Sequence, residues 1–177
     1  MVRDAMDLTY LTGQRPADTL KACTGDLTVE FLLVAQGKTT KTLRILLEEN
    51  GQRTGLGTFI DDLLERRKLA GITSSRLITN PDGVRLSYAM LRNRWQESRT
   101  AAMQAAIDAG DSSLAHRIKQ FRFSDIQPKA ASEIDDLTDA SKLLGHCRSK
   151  LRRPFIGVSA RLSARHVDAR IVEMILK

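Results

Sequence analysis

The chain has 177 residues, of which 42% are hydrophobic, and this is enough for one domain with a full core. No apolar run approaches the roughly 20 residues of a membrane-spanning helix, and the first residues lack the basic-then-apolar order of a signal peptide, so we expect a cytoplasmic protein with no membrane partner. Cys23 and Cys147 have no CxxC or histidine spacing around them, and we expect no disulfide framework, no metal site and no cofactor.

The net charge of +7 is concentrated at the end of the sequence. After His146 there are eight basic residues and two acidic ones, whereas the part before it is nearly neutral. A solvated basic tail explains this distribution as well as a nucleic-acid contact does. The charge alone therefore assigns no partner.

The first 21 residues predict two helices with a sharp junction between them. Apolar positions in residues 3–12 share one helical face, and Gly13 is a suitable C-cap. Pro16 then stands in the first turn of a second, short helix, where its missing N–H costs nothing. Arg15 accordingly falls at the junction.

A β-hairpin is predicted next. Residues 28–34 and 42–47 are rich in β-branched and aliphatic side chains, and the five residues 36–40 between them favour a turn. Lys38 falls at that turn.

The middle of the chain predicts two further helices. Residues 56–69 carry apolar side chains on one helical face that includes Leu69, and we expect that face to pack in the core. After the apolar pair Leu77 and Ile78, the Asn-Pro-Asp-Gly sequence at 80–83 indicates a turn. Ser87 is expected to cap a long helix.

The long helix carries Trp95 as a core anchor and fades at Gly110, after which residues 111–113 are expected to open a loop. Ser124 is expected to N-cap a helix that buries three apolar residues, and a final helix ends at Gly145. The buried residues are Ala130, Ala131 and Ile134, and the final helix carries Ala140, Leu143 and Leu144. The pattern is a mostly α (α+β) domain with a small antiparallel sheet, which by itself names no function.

Three short motifs occur in a fixed order along the chain. Residues 12–15 read T-G-x-R and precede a helix, residues 35–39 read A-Q-G-K-T at the hairpin, and residues 143–146 read L-L-G-H. F-R-F-S-D-I-Q at 121–127 precedes the last motif. Together they resemble the catalytic domain of the tyrosine recombinase (phage integrase) family, over roughly residues 3–146, and integrases of bacterial prophages are the closest relatives that we expect.

The resemblance implies DNA cleavage and rejoining through a 3′-phosphotyrosyl link, without a metal or cofactor. Arg15 matches an arginine that stabilises the phosphorane, Lys38 matches the lysine that protonates the leaving 5′-oxygen, and His146 matches a hydrogen-bond donor to the phosphate. Taken singly, Arg15 and Lys38 would be solvated surface residues, and His146 would be a histidine at a helix C-terminus.

Two parts of the family's catalytic set are missing from this sequence. The H-x-x-R box is replaced, because Ser124 stands at the histidine position and Gln127 at that of the second arginine. The nucleophile would lie nine or ten residues after the last motif, where the chain has Phe155 and Ile156. The only tyrosines, Tyr10 and Tyr88, lie elsewhere, and we expect both to be packing residues.

The end of the chain suggests a frameshift. Codons permitted for residues 155–168, read from the last base of the Pro154 codon, can spell V-Y-R-R-L-G-E-T-V-S-P-T-R and then a stop. The tyrosine of that string falls ten residues after His146, within the range that the family uses. We therefore divide the chain into an integrase-like catalytic domain at 1–146 and a divergent basic tail at 147–177.

The leading hypothesis is a degenerate recombinase remnant that binds double-stranded DNA weakly, because the N-terminal DNA-clamping domain of the family is not expected in this chain. Active relatives would assemble as tetramers on DNA, and a monomer is predicted for this form. A non-catalytic DNA-binding module is the alternative, and a helical interaction protein unrelated to DNA ranks third.

Overall fold

The computed structural model describes residues 1–132, and it is mostly helical with a small antiparallel sheet, which confirms the predicted fold class. The helices are α1 (Val2–Thr12), α2 (Pro16–Thr19), α3 (Gly55–Leu69), α4 (Tyr88–Asp108), α5 (Ser112–Gln120) and α6 (Ile126–Ser132). The strands are β1 (Phe31–Ala35), β2 (Thr42–Leu46), β3 (Glu48–Glu49) and β4 (Gln52–Arg53). Within residues 1–132, no helix combines the length and the apolar character needed to cross a bilayer.

The junction between α1 and α2 has the predicted geometry. Gly13 adopts a left-handed conformation with φ 60°, and its N–H donates to the carbonyl of Tyr10, so α1 ends there. Arg15 is extended, with ψ 145°, and Pro16 opens α2. The backbone therefore changes direction within three residues, and Arg15 is fixed at the bend.

The hairpin pairs β1 with β2 in antiparallel register, with Leu33 opposite Arg44 and Ala35 opposite Thr42. Alternate side chains point into the core, where Leu32, Val34, Leu43 and Ile45 are buried. The first strand begins at Phe31 rather than at the predicted residue 28. The reason is local: the Thr28 hydroxyl accepts a hydrogen bond from the Phe31 N–H at 3.0 Å and holds the chain in a turn.

Helix α3 is confirmed, but one residue of its predicted apolar face is wrong. Leu69 is 83% exposed, whereas Arg67 is buried. A helix advances about 100° per residue. Arg67, four residues after the buried Leu63, shares its face, while Leu69, six residues after it, does not.

The buried Arg67 guanidinium holds the segment that follows α3. It donates to the backbone carbonyls of Ser74 and Leu77, and burial lowers the pKa of this arginine below its usual range. The Leu77 N–H in turn donates to the carbonyl of Ala22 at 3.0 Å, and the Arg76 guanidinium donates to the carbonyl of Lys21. The loop after α3 is thereby joined to the residues that follow α2.

Helix α4 begins as predicted, because the Ser87 hydroxyl accepts the Met90 N–H. Trp95 is 4% exposed and makes edge contacts with the rings of Phe121 and Phe123, with centroids 5.6 and 5.2 Å away. It is the core anchor that the sequence predicted.

The prediction of a loop after α4 is wrong. The structure has a tight turn there and then α5, in which Leu114, Ala115 and Ile118 are buried. Asp111 is the N-cap of this helix, since its carboxylate accepts the Leu114 N–H at 2.8 Å.

The N-cap predicted at Ser124 is also wrong. Ser124 lies inside a 3₁₀ turn, Phe123–Asp125, that leads into α6. The N-cap of that turn is Arg122, two residues before Ser124, and its N–H donates to the Asp125 carboxylate at 2.9 Å.

Gly57 is required at the start of α3. A Cβ at this position would lie 2.1 Å from the backbone oxygen of Leu47, which cannot move without shifting the end of the hairpin. We expect Gly57→Ala to lower the free energy of unfolding by about 2–3 kcal/mol, measured by urea denaturation. Gly55→Ala is the control, because its nearest contact would be an ordinary 3.8 Å to Leu11. Equal stability of the two variants would contradict the close approach.

Candidate functional site

A buried amide pair joins the hairpin turn to the junction between α1 and α2. The Gln36 Nε2 donates to the Gln14 Oε1 at 2.7 Å, and these residues are 4% and 1% exposed. The Gln36 Oε1 accepts the Thr39 hydroxyl at 2.5 Å. A buried amide without partners would be costly, so these bonds fix the turn against the junction.

A buried carboxylate makes a second connection between the same segments. The Asp18 Oδ1 accepts the backbone N–H of Gly37 at 3.0 Å and the Lys21 ammonium at 3.2 Å. A Cβ at Gly37 would lie 3.1 Å from that oxygen and 3.0 Å from the Lys21 Nζ, so the approach is close on both sides. The turn is therefore held by α2 as well as by the junction.

These bonds bring together the two segments that carry Arg15 and Lys38. Arg15 follows the buried Gln14 and is half-buried, while Lys38 follows the bonded Gly37 and is exposed. We call the bonded unit formed by residues 12–21 and 36–39 the junction site. Its two predicted residues each stand one position from a fixed hydrogen bond, and both carry positive charge.

The two residues that replace the second box, Ser124 and Gln127, are uncharged. Gln127 is half-buried on α6, which packs against α1, and Ser124 is exposed in the turn before α6. His146, Phe155 and Ile156 lie outside the described residues, as does the tail. Among residues 1–132, no cluster of three histidine, cysteine or carboxylate side chains is arranged to hold a metal ion.

The two tyrosines have different surroundings. Tyr10 is partly buried and packs against the core, as predicted. Tyr88 is 55% exposed, so its prediction as a packing residue is wrong. The reason is its place at the first position of α4, where its side chain borders a surface pocket instead of the core.

That pocket was missed by the sequence analysis. It has a volume of about 280 Å³, and three of its lining residues are Arg92, Arg99 and Arg122, so we call it the arginine pocket. Trp95 and Ser124 also line it. The i, i+7 spacing of the first two arginines on α4 was a visible signal, but the third comes from another segment.

Comparison with solved structures identifies the fold. The chain resembles the lambda integrase catalytic core, with a TM-score of 0.57 and 20% identity over 82% of each chain. It also resembles a lambda integrase tetramer bound to a Holliday junction, with a TM-score of 0.59 and 17% identity over 86% of this chain and 43% of that one.

A XerH site-specific recombinase bound to its difH substrate gives a TM-score of 0.51 at 18% identity, over 82% of this chain and 39% of that one. This chain thus spans less than half of the last two proteins. No family model and no curated protein matches the sequence. The fold is that of tyrosine recombinase catalytic domains.

Substitution of Asp18 tests whether its carboxylate holds the hairpin turn in the junction site. We expect Asp18→Ala to destabilise the protein by about 1–3 kcal/mol in urea denaturation, because the Gly37 N–H loses its acceptor. Asp62→Ala removes the same charge from an exposed position on α3 and is expected to change stability by less than about 0.5 kcal/mol. If both variants have the wild-type midpoint of urea denaturation, the Asp18 carboxylate does not hold the turn.

Proposed function

We propose that this chain is an integrase-type tyrosine recombinase domain that binds double-stranded DNA and is catalytically impaired. The observation that carries the proposal is the junction site. Two polar connections, from Gln36 to Gln14 and from Gly37 to Asp18, join segments that are about twenty residues apart and that carry Arg15 and Lys38. They do so in a fold shared with recombinase catalytic domains.

The chemistry of the two cations suits a phosphodiester. A guanidinium offers two parallel N–H donors that match two phosphate oxygens, so Arg15 would hold the phosphate. An ammonium on a flexible stem at an exposed turn can reach a leaving oxygen and donate a proton to it, which is the role proposed for Lys38. His146 would be a third donor to the same phosphate.

Impairment follows from what replaces the rest of the family's set. Gln127 is uncharged, so it cannot neutralise the charge that develops on a phosphorane, and one such loss costs about 10²- to 10³-fold in rate. Phe155 and Ile156 have no nucleophilic atom at the expected tyrosine position. The domain would therefore bind DNA without cleaving it.

The tail at 147–177 is proposed to result from a frameshift, and prophage origin, a cytoplasmic location and a monomeric state belong to the same proposal. The second candidate is a DNA-binding module kept for regulation. The intact bonds of the junction site favour it, because the segments that carry Arg15 and Lys38 stay joined although Gln127 replaces another residue of the family's catalytic set.

Binding to DNA is tested by mobility shift of a 30-base-pair duplex at low salt. We expect a shift for the wild type and weaker binding for Arg15→Gln and Lys38→Gln. Each lost phosphate contact should reduce the slope of log K against log salt by about 0.9. Lys68→Gln, which removes an exposed charge at the end of α3, is the control. Absence of any shift for the wild type at low salt contradicts the proposal.

Cleavage is tested with a nicked suicide duplex that traps a covalent protein–DNA adduct. We expect no adduct from the wild type or from Gln127→Arg alone. We expect an adduct when Gln127→Arg is combined with the other reading frame, which restores a tyrosine ten residues after His146. An adduct from the wild-type chain would show that it has a nucleophile, and the proposed impairment would be wrong.

A further inference from the structure

We infer that the arginine pocket is a second phosphate-binding site, separate from the junction site. Neither Arg15 nor Lys38 lines it, and its arginines come from α4 and from the segment after α5. A DNA backbone as the source of the phosphate rests on the proposed function. The affinity of the pocket for a phosphate group does not.

The arginines of this pocket have no ion-pair partner among the described residues. Arg92 and Arg99 are seven residues apart on α4, which places them on one face two turns apart. Neither of them, nor Arg122, forms an ion pair with a carboxylate within residues 1–132. By contrast, Arg94 on the same helix pairs with Glu97 at 2.9 Å.

Neutral groups hold one of these guanidinium groups in place. Arg99 donates to the backbone carbonyl of Phe121 at 3.2 Å and to the side-chain oxygen of Gln96. Such bonds orient the group and leave its charge available. The carboxylate nearest to Arg122 in sequence, that of Asp125, accepts the backbone N–H of this arginine.

Trp95 forms part of the pocket wall, and its side chain is 4% exposed. Its indole Nε1 is buried and has no hydrogen-bond acceptor among the described residues.

The shape and donors of the pocket suit phosphate. A volume of about 280 Å³ accommodates a phosphate group with its waters or an attached sugar. Planar guanidinium groups from two segments can bind several oxygens of one ligand, and phosphate offers more of them than a carboxylate. The hydroxyl groups of Tyr88 and Ser124 are additional donors in the lining.

Trp95 is the only tryptophan of the chain, so its fluorescence reports on the pocket directly. The full chain is titrated with inorganic phosphate at an ionic strength held constant with sodium chloride. We expect a saturable change in emission. We expect its midpoint to rise at least about tenfold in Arg92→Gln and in Arg122→Gln, as for loss of a charge-assisted hydrogen bond. Arg94→Gln should bind like the wild type, and circular dichroism verifies that all three variants are folded.

A second titration uses the 30-base-pair duplex. If inorganic phosphate and the duplex both change the emission and compete, the pocket binds the DNA backbone; if phosphate alone changes it, the site takes a free phosphate group. If neither does so while the duplex still shifts in the gel, the arginine pocket is not a phosphate site and the proposed function stands. A phosphate response without any gel shift supports the pocket and contradicts the proposed function.

Discussion

The constraint on which the candidate site depends is the hydrogen bonding of polar groups that are buried between the hairpin and the first two helices. Gln14, Gln36 and Asp18 are almost inaccessible to solvent, and each finds its partner across the contact. Apolar contacts would tolerate small displacements of the turn, whereas a buried amide or carboxylate loses its partner when the turn moves by an ångström. The hydrogen bonds of buried polar groups, more than apolar packing, therefore determine where the exposed turn lies relative to Arg15.

Much of the fold was predictable because its signals are local. The glycine after α1, the proline at the start of α2 and the serine before α4 each act on the nearest turn of backbone, and each is found in the predicted role. The errors arose where local chemistry has two meanings. An Asp-Ser-Ser sequence is typical of loops and also of helix N-caps. In the stretch before α5 it forms the N-cap of a helix. Leu69 was assigned by residue type, although helical phase favours Arg67 for the buried face.

The site was predictable only in part, for a related reason. Motif order indicated Arg15 and Lys38, but nothing in the sequence marks Gln14 and Gln36 as partners, since glutamine is usually a surface residue and these two are 22 positions apart. The arginine pocket was not predicted because Arg122 joins the two arginines of α4 only through the packing of Trp95 against the rings of Phe121 and Phe123. His146 lies outside the described residues, so its place in the site stays a prediction.

The buried guanidinium of Arg67 affects how the domain unfolds. It ties the end of α3 to the backbone at residues 74–77, and that backbone is tied to residues 21–24 after α2. Releasing one of these ties would leave a buried guanidinium with fewer acceptors, which is costly. We therefore expect the segments on either side of this arginine to open together.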